Sequence, residues 1–580
     1  MFRHLLKPSA AVLTFLLLEL SSTLVVSDGH NNCLGPPPEV PPITCTDSIE
    51  VSLNTLKEDN TVNVILPTQT SEYDEALRQY GSVTYFNRVQ PSFIAQVQTE
   101  EDVQAVVRFA KACNYETSVR SGGHSYLAVS SCNSKEKPCV QIDVGQMKKM
   151  DVVAASNQLV LGPGNRLEDL AETLSQNGLF VPTGECAKVG LGGHMQTGGV
   201  GLWSRHFGVL LQSVSAFRIV ISDGTVQTIV TPTASTSPLN NDLFYAVLGG
   251  ASGSWGVITE LTLETVNDSD YFSAFWTVKI LWNADGVVNM FRKWSELANA
   301  NKDDTRWSTH WTMIGAQPSG LAPNYVELEA SWVAPKAQAG DYDPQFFQSI
   351  LDACTGCIII EPLVNETEPM SYSLKERYLA AEDGPEYPAP FRHYKKNWQQ
   401  TSSFPDPDET EAIIREVDNR MPEANSTYLF ISQFTTVLKP RDDETRSLPW
   451  PDDVMGMSCD FFFPDTKLTP IFDDWAATVG TLVRKNFGGE DHRVFWGAFD
   501  DPNLEEDWPK YYESQDKYEE LKEIKSCVDP DNLFTHLMSM PLADLSPADS
   551  FDQSASAASL LPGTWTLAYV FFALIPALWL

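Results

Sequence analysis

The chain has 580 residues, of which 43% are hydrophobic and 20% charged, and its formal net charge is -36. This composition is that of a globular protein of two or three domains and excludes a disordered chain. The strong negative charge repels phosphate backbones and anionic lipid headgroups, so it argues against nucleic-acid binding.

Both ends of the chain have the composition of targeting signals. A basic start with Arg3 and Lys7 precedes the apolar run 10–18, which is too short to span a bilayer and predicts a secretory signal over residues 1–27. At the other end, small residues at 554–556 precede a neutral spacer and an apolar tail. This pattern favours a GPI-anchor signal over residues 546–580, with a retained tail anchor as the alternative. The body of the protein is therefore predicted to be extracellular, at the cell surface.

Cysteines and glycosylation acceptors agree with that compartment. Three Asn-x-Ser/Thr triplets are present, beginning at Asn267, Asn365 and Asn425. Ten cysteines in an oxidising compartment are expected to be mostly paired. Two pairs are near neighbours in the sequence, Cys33 with Cys45 and Cys132 with Cys139, but the sequence does not fix the connectivity. The Cys354–Cys357 pair has no second pair or histidine ligands beside it, which indicates a structural role rather than zinc or redox chemistry.

Regular structure becomes readable after a proline-rich leader, residues 28–59. Alternating apolar residues predict a strand at 91–98, and Thr99 is predicted to cap the helix that follows. A short strand is predicted at 117–120. The next helix is predicted to start at Asn165, with Glu168 as its capping partner, and to stop at Gly178. A Ser-Asp-Gly turn between apolar arms predicts a hairpin over 219–229. This mixture of strands and helices predicts an α+β domain over residues 60–268.

The pattern changes after Ser273. Alternating aromatic strands at 274–282 and 306–314 predict an antiparallel sheet with one buried face. Trp307, Thr309 and Trp311 share one side of the second strand, and His310 takes the other. The tryptophans either pack in a core, which we favour, or line a ring-binding surface.

Three glycine-rich stretches lie in the first domain, at residues 120–132, 181–208 and 248–260. The second has neither a Gly-x-Gly-x-x-Gly fingerprint nor a P-loop. Glycine lets backbone bend sharply or approach a ligand closely. Because one stretch carries His124 and another Cys186, the three together suit a large cofactor held at several points.

These stretches, in this order, resemble a known family. RSGGH (120–124), GECAKVGLGGH with GGVG (184–201) and LFYAVLGGASGSWGVITE (243–260) are similar to the FAD-binding domain of berberine bridge enzyme-like oxidases, PCMH-type members of the vanillyl-alcohol oxidase superfamily. Residues 508–534 resemble the closing motif of that family. The resemblance implies an α+β fold in which a PCMH-type FAD-binding domain (60–268) receives an inserted antiparallel-sheet substrate domain (269–495). It also implies a C-terminal segment (496–545) that returns to the FAD domain.

The resemblance implies FAD bound covalently at two points. His124 matches the histidine bonded to the 8α-methyl of the flavin, and Cys186 matches the cysteine that forms a thioether at ring position 6. The alternatives are a turn-stabilising histidine and a disulfide-bonded cysteine. Further positions match cofactor-contacting ones: Arg120, Ser121, Gly122, Gly123, Ser125, Val189, Gly192, Gly193, Gly198, Gly199, Gly253, Val257, Ile258 and Asn532. His194 and His206 either touch the cofactor or are structural. We predict no metal site.

The resemblance leaves the catalytic base open. Phe499 stands where many relatives have a tyrosine, and phenylalanine cannot accept a proton. Either the register is shifted or the base lies elsewhere, with Asp500, Tyr511 or a residue of the substrate domain as candidates. Val189 matches a gate over the flavin, where valine goes with an oxidase and leucine with a dehydrogenase, unless the side chain merely packs.

We therefore predict an extracellular FAD-dependent oxidase that acts on a small molecule. The substrate would be an alcohol, either a carbohydrate or a secondary metabolite, which passes a hydride to covalently bound flavin. Dioxygen would reoxidise the flavin and yield hydrogen peroxide. Two alternatives remain, a dehydrogenase that uses an organic acceptor and a flavin-loaded surface binding protein without turnover.

Overall fold

The fold is described from a computed structural model of the chain. The described residues are 61–79, 90–125, 129–132, 137–315, 323–382, 393–420, 429–436, 444–448, 450, 452–463, 466–468, 470–471, 473–474, 477–478, 508 and 511–543, together with Cys45, Leu53 and Leu56.

The first part of the described chain forms a four-stranded sheet with two helices. In chain order the elements are β1 (Asn63–Ile65), α1 (Thr70–Leu77), β2 (Phe93–Gln96), α2 (Glu100–Ala112), β3 (Glu116–Arg120) and β4 (Cys139–Asp143). The strand order is β1-β2-β4-β3, and β4 pairs in parallel with both of its neighbours. Helix α2 begins as predicted, because Thr99 and Asp102 cap each other. Its apolar face then packs on the sheet around Phe93.

The second part is built around a five-stranded antiparallel sheet. Its elements are β5 (Met150–Val153), β6 (Gln158–Leu161), α3 (Leu167–Asn177), β7 (Leu179–Phe180), α4 (Leu191–Thr197), α5 (Ser204–Phe207), β8 (Val214–Val220), β9 (Val226–Val230), α6 (Pro238–Val247), β10 (Val257–Glu264) and β11 (Val266–Asn267). The strand order is β5-β6-β10-β8-β9, and β7 pairs separately with β11. The predicted hairpin is confirmed as β8–β9.

The start of α3 differs from the prediction. The helix begins at Leu167, and the Arg166 N–H donates to the Asp169 carboxylate, so the capping pair lies one residue later than Asn165 and Glu168. The Asn165 side chain instead donates to the Gly162 carbonyl. The predicted end is confirmed, because Gly178 takes the left-handed conformation at the C-cap, with φ 62°.

The third part is a seven-stranded antiparallel sheet with helices. Its elements are β12 (Tyr271–Leu281), α7 (Ala284–Ala300), β13 (Trp307–Gly315), β14 (Tyr325–Pro335), α8 (Gln345–Asp352), β15 (Ile359–Glu366), α9 (Met370–Glu382), β16 (His393–Thr401), α10 (Pro407–Arg420), β17 (Leu429–Thr435) and β18 (Met455–Phe463). The strand order is β15-β12-β14-β13-β17-β18-β16. The two predicted aromatic strands are β12 and β13, and β14 lies between them.

One face of this sheet is apolar. Trp307 and Trp311 are 2% and 0% exposed and pack with side chains of α7 and α10, so their interpretation as core residues is confirmed. Because strand side chains alternate, His310 lies on the opposite face, where polar side chains gather.

The C-terminal segment contacts the first two parts: helix α11 (Gln515–Val528) packs in the core of the second part, and the residues after it reach the first sheet. The Thr117 N–H of β3 donates to the Leu533 carbonyl, and the Thr535 N–H donates to the Thr117 carbonyl. This pairing sets residues 533–535 beside the strand that leads into the His124 turn. Within the described ranges, no helix combines the length and apolar character that a bilayer crossing needs.

Three disulfides lie within the described residues: Cys45–Cys113, Cys132–Cys139 and Cys354–Cys357. The neighbouring Cys132 and Cys139 are therefore paired, and Cys354 and Cys357 form a bridge rather than a metal site. Cys45 is joined to Cys113 at the end of α2 and not to the nearer Cys33, a pairing across 68 residues that spacing does not reveal.

Candidate functional site

The first two glycine-rich stretches touch each other backbone to backbone. A Cβ on Gly122 would lie 2.4 Å from the Gly190 nitrogen, and a Cβ on Gly190 would lie 2.2 Å from the Gly122 nitrogen. Only glycine fits both positions, because either contact is far shorter than a Cβ tolerates. The turn that carries His124 and the loop that carries Cys186 are therefore held together at this crossing.

The His124 turn is braced by the last residue of β3. The Arg120 guanidinium donates to the Asp143 carboxylate over 3.0 Å, and both side chains are largely buried. Gly123 has φ 64°, and a Cβ there would lie 2.7 Å from the Arg120 Nε. Arg120 thus supports the turn from beneath, and its predicted contact with a cofactor stays a prediction.

One carbonyl joins the two glycine-rich stretches. Ser121 Oγ and the Gly192 N–H both donate to the Pro163 carbonyl, over 2.7 and 3.1 Å. In the same turn Ser125 Oγ accepts the Val129 N–H. These bonds fix the backbone of both stretches relative to the loop that precedes α3.

Cys186 is half-buried and carries a thiol, so the alternative of a disulfide does not hold. Because the chain has ten cysteines, leaving Cys186 out of the disulfides requires a second cysteine to remain a thiol. That second thiol is Cys459, which is buried in β18. The Val189 N–H donates to the Cys186 carbonyl, and the Val189 side chain packs at the edge of the core around β8 and β10. The backbone from Cys186 to Val189 therefore forms a tight turn.

The histidine of α4 has a structural role. His194 Nε2 accepts the Gly184 N–H over 3.0 Å, and burial lowers the pKa of His194 to about 4, so the ring is neutral. Gly198 and Gly199 have φ 118° and 86°, and a Cβ on Gly199 would lie 2.8 Å from the same Nε2. The ring of His206 packs edge-on against two aromatic rings. For both histidines the structural alternative is the one favoured.

The third glycine-rich stretch is tied to the other two and to the C-terminal segment. The Gly253 N–H, at φ 79°, donates to the Gln196 side chain of α4 over 3.1 Å. The fully buried Lys525 of α11 donates to the carbonyls of Ser254 and Phe534. All three stretches are thus connected through hydrogen bonds of buried side chains.

The remaining predicted cofactor positions border this framework. Val257 and Ile258 begin β10 next to β8, and their side chains are buried in two different cores. A Cβ on Gly193 would meet nothing within 4 Å, so that position faces open space. Asn532 has φ 49° and lies one residue before the segment that pairs with β3. The structure brings these residues together without testing their contact with a cofactor.

Several buried polar atoms of this region have no hydrogen-bond partner within the described part of the chain. They are both amide atoms of Gln141 on β4, Nε2 of Gln79 and Oδ1 of Asn532. Such atoms each cost about 1–3 kcal/mol when left unpaired, so they indicate a polar ligand. Together with the glycine backbone, they fit a large polar cofactor such as FAD.

A buried ion network lies directly before Cys186. The Arg377 guanidinium of α9 pairs with the carboxylates of Glu185 and of Glu329 on β14. His310 of β13 lies opposite Glu329 in the sheet, and ligand-capable atoms of Glu185, Glu329 and His310 all lie within 4.8 Å of one another. His310 Nδ1 is also 2.8 Å from the Thr435 hydroxyl. We call these four residues, Glu185, His310, Glu329 and Arg377, the ion cluster.

Charges in the ion cluster are set by competition between burial and pairing. Burial alone would raise the pKa of Glu329, but the charge and hydrogen bonds of Arg377, with His310 nearby, lower it. Burial disfavours the charged guanidinium of Arg377, yet the carboxylates of Glu185 and Glu329 raise its pKa. The cluster therefore contains two carboxylates and one guanidinium, a net charge of -1 before His310 is counted.

A second carboxylate follows on the same face of β14. Burial, and then the charge of Glu329 two residues away, raise the pKa of Glu327 to about 7. Lys279 of β12 lies opposite Glu327 and pairs more closely with Glu361 of the edge strand β15. The polar face of the sheet thus carries a group that titrates near neutral pH.

The predicted base candidates are not placed in this cluster. Tyr511 is 2% exposed and belongs to the hydrophobic core that also contains Trp255 and Tyr512. Asp500 and Phe499 lie outside the described residues. The identity of the base among them stays a prediction, and His310 joins the candidates as a residue of the substrate domain.

Sequence reasoning missed the ion cluster because its members come from four distant segments. A local signal existed in YVELEASWV (325–333), where Glu327 and Glu329 interrupt an otherwise apolar strand at a spacing of two. Charged residues at that spacing lie on one face of a strand, and burying them requires partners. Arg377 carried no such signal.

Family models match two parts of the chain. The model described as an FAD binding domain matches residues 91–229, and the model described as berberine and berberine like matches residues 486–541. The first match lies within the predicted FAD-binding domain (60–268), and the second begins ten residues before the predicted C-terminal segment (496–545) and overlaps it.

Relatives and solved structures agree. The FAD-linked oxidoreductase pynB of Aspergillus niger is 30% identical over 241 residues, but this match covers only 41% of either protein. Monolignol oxidoreductase AtBBE-like 13 of Arabidopsis thaliana is 23% identical over 482 residues, 78% of this chain and 84% of the relative. The structure of wild-type BBE-like 1 from Physcomitrella patens superimposes with a TM-score of 0.66 at 20% identity, over 84% of this chain and 99% of the other.

These similarities confirm the predicted α+β fold and FAD as the cofactor. The two domain models occur in the order the motifs predict, and the structural match extends across the seven-stranded sheet that separates them. The chain is therefore similar to berberine bridge enzyme-like FAD-linked oxidoreductases, in both of its matched domains and along most of its length.

Proposed function

We propose that the protein is an extracellular oxidase that carries FAD bonded to both His124 and Cys186 and oxidises an alcohol group of a small molecule. The observation that carries this proposal is the contact between Gly122 and Gly190, since it brings the two tether-bearing loops together. When bound, FAD supplies the hydride acceptor and passes the electrons to dioxygen, with hydrogen peroxide as product.

The chain supplies a proton acceptor and a polar wall. His310 is 4% exposed, lies 2.8 Å from the Thr435 hydroxyl, and has atoms of the Glu185 and Glu329 carboxylates within 4.8 Å. We assign the substrate hydroxyl proton to His310, with Glu329 orienting and charge-balancing the imidazole. His310 would thus do the work of the tyrosine that many relatives have at the position of Phe499.

The side chains that share the polar face of the sheet with His310 indicate the substrate class. Hydrogen-bonding side chains occupy that face of the sheet: Thr277, Lys279, His310, Thr312, Glu327, Glu329 and Ser458. Trp307 and Trp311, the tryptophans considered for a ring-binding surface, are instead buried on the other face. This surface favours a hydroxyl-rich substrate such as a carbohydrate over a purely aromatic alcohol of the monolignol type.

An extracellular location has independent support. Disulfides such as Cys45–Cys113 persist in oxidising compartments, and the acceptor Asn365 is exposed on β15. Both the secretion signal (1–27) and the GPI-anchor signal (546–580) lie outside the described residues. We propose secretion followed by anchoring, and lipase release of the protein from intact cells would test it.

Anaerobic mixing with a panel of sugars and phenolic alcohols tests the activity. A substrate bleaches the flavin absorbance, and readmitted air restores it with one equivalent of peroxide. If no compound bleaches the flavin, the surface binding protein without turnover is the better account.

The oxidase assignment has its own test in Val189→Leu. A larger side chain at the predicted gate is expected to slow reoxidation by dioxygen and to leave reoxidation by a quinone unchanged. Equal reoxidation by dioxygen in both proteins would remove the support for the gate, and a wild type that reacts only with quinone is a dehydrogenase.

A further inference from the structure

We propose that Arg377 is a positioning residue that sets the Cys186 loop for its bond to the flavin and ties that loop to the substrate-facing sheet. The inference rests on the proposed function, because it concerns the second of the two proposed tethers. It gives a role to helix α9 of the inserted sheet region, for which the family resemblance implied no role.

Two consecutive residues of α9 hold the three residues that precede Cys186. The Tyr378 hydroxyl donates to the Gly184 carbonyl over 2.6 Å and is 2.8 Å from the Thr183 hydroxyl. Arg377 pairs with the carboxylate of Glu185. On the other side of the loop, the Gly184 N–H is bonded to the imidazole of α4 described above. The backbone entering Cys186 is therefore fixed from both sides.

Helix α9 is itself held in place by packing and hydrogen bonds. Met370, Leu374 and Tyr378, spaced four residues apart, are 1–2% exposed and belong to the core of the FAD-binding region. At the helix start, the Asp268 carboxylate accepts hydrogen bonds from Ser371. The helix therefore packs on the cofactor region although it lies between strands of the large sheet in the sequence.

Arg377 connects that support to the sheet. Its guanidinium pairs with Glu329 of β14 as well as with Glu185, and the side chains of Arg377 and Glu329 are only 13% and 12% exposed. A planar guanidinium that pairs with two carboxylates fixes their relative position as well as their charge. One side chain thus sets the distance between the Cys186 loop and the sheet face that carries His310.

Charge gives Arg377 a second effect on Cys186. Thioether formation joins Sγ to ring carbon 6, with loss of the thiol proton, the ring C–H proton and two electrons, which dioxygen accepts. The thiolate is the reactive form of cysteine, and two uncompensated carboxylates beside it would oppose ionisation. Arg377 offsets that charge, so its removal should impair attachment through both position and electrostatics.

The test compares four variants purified as holoproteins: Arg377→Met, Arg377→Lys, Tyr378→Phe and, as the matched control, Lys375→Met. Lys375 lies on the same helix and pairs with Glu172 at the surface. Each protein is digested, and the flavin-bearing fractions of the peptides holding His124 and Cys186 are measured by mass spectrometry. Retention of flavin on the His124 peptide reports that a variant has folded around its cofactor.

We expect Arg377→Met to lower the Cys186-linked fraction about tenfold or more while His124 stays linked, since small misplacements of reacting atoms cost large factors in rate. Arg377→Lys should recover part of the fraction, Tyr378→Phe should lower it less, and Lys375→Met should match wild type. Full Cys186 linkage in Arg377→Met, or loss of both linkages in Arg377→Lys and Tyr378→Phe alike, would overturn the inference. A wild type without flavin on Cys186 would instead refute the proposed double tether.

Discussion

Alternating side chains of the same strands form the two faces of the seven-stranded sheet, and the two faces differ in how their residues are buried. On one face Trp307 and Trp311 are buried under α7 and α10 among side chains that are mostly apolar. On the other face His310 is 4% exposed and the Glu329 side chain 12% exposed, and each has a charged or hydroxyl partner. Apolar residues can be buried by packing alone, whereas charged residues are buried only with charged or hydrogen-bonding partners. Networks of such buried charges cluster at functional sites.

The apolar face should dominate stability. Trp311→Ala removes a fully buried ring whose centroid lies 4.2 Å from that of the tilted Phe291 ring. We expect it to lower the free energy of unfolding by about 3–5 kcal/mol, measured by chemical denaturation. Thr312→Ala, next in the chain but on the polar face, should change it by less than about 1 kcal/mol. Equal losses in both variants would contradict the division between the faces.

The polar face should dominate turnover. His310→Gln keeps a polar side chain within reach of Thr435 but removes the proposed base, so we expect kcat to fall by roughly 10²–10⁴ with the flavin spectrum unchanged. As the proposed base, His310 loses its function when its ring is protonated at low pH, so the acidic limb of the wild-type pH profile should flatten in the variant.

A neighbouring residue provides the control for that variant. Thr309, whose hydroxyl accepts a hydrogen bond from Trp294 on the apolar side, is next to His310 on the same strand. Thr309→Val is expected to cost about 1–3 kcal/mol of stability and to leave kcat within twofold of wild type. If His310→Gln keeps full activity, the base lies elsewhere and Asp500 and Tyr511 become the candidates to test.

A smaller effect concerns Glu327 and the pH dependence of stability. Its pKa is raised in the folded protein from 4.5 to about 7, so the folded state holds an extra proton between these values. The contribution of Glu327 to the free energy of unfolding is therefore fully present below pH 4.5 and is lost as pH rises toward 7. Glu327→Gln should be more stable than wild type at pH 8, by roughly 1–3 kcal/mol, and equal to it near pH 4.5.

Thermal unfolding at the two pH values measures this difference. Glu361→Gln, which removes an exposed carboxylate that pairs with the same lysine, is the matched control and should show no gain at pH 8. Parallel curves for Glu327→Gln and wild type would contradict the raised pKa.

The comparison of faces also explains what the sequence could predict. The cap at Thr99, the hairpin of β8 and β9 and the burial of Trp307 depend on neighbours a few residues away, so local patterns predicted them. The capping pair of α3 was misplaced by one residue because Glu168 and Asp169 are adjacent acids, and only tertiary packing selects one. The family's motifs supplied the glycine-rich stretches, whose mutual contact no local pattern contains.

Long-range features were beyond such reasoning. Strand β14 enters between β12 and β13 although it follows both in the chain. Arg377 meets Glu185 across nearly 200 residues, and Cys45 meets Cys113 across 68. The Arg377 contact depends on how the α9 helix packs on the cofactor region, and none of the three features is encoded in a periodicity of the sequence.

The most direct measurement of the central claim is the mass of two peptides from protein denatured in acid. The account predicts a yellow precipitate in which one flavin is shared by the peptides holding His124 and Cys186, because their loops meet at Gly122 and Gly190. It also predicts that Gly122→Ala, which forces a Cβ into the Gly190 backbone, loses the linkage to Cys186. A colourless precipitate, with the flavin free in the supernatant, would contradict the account.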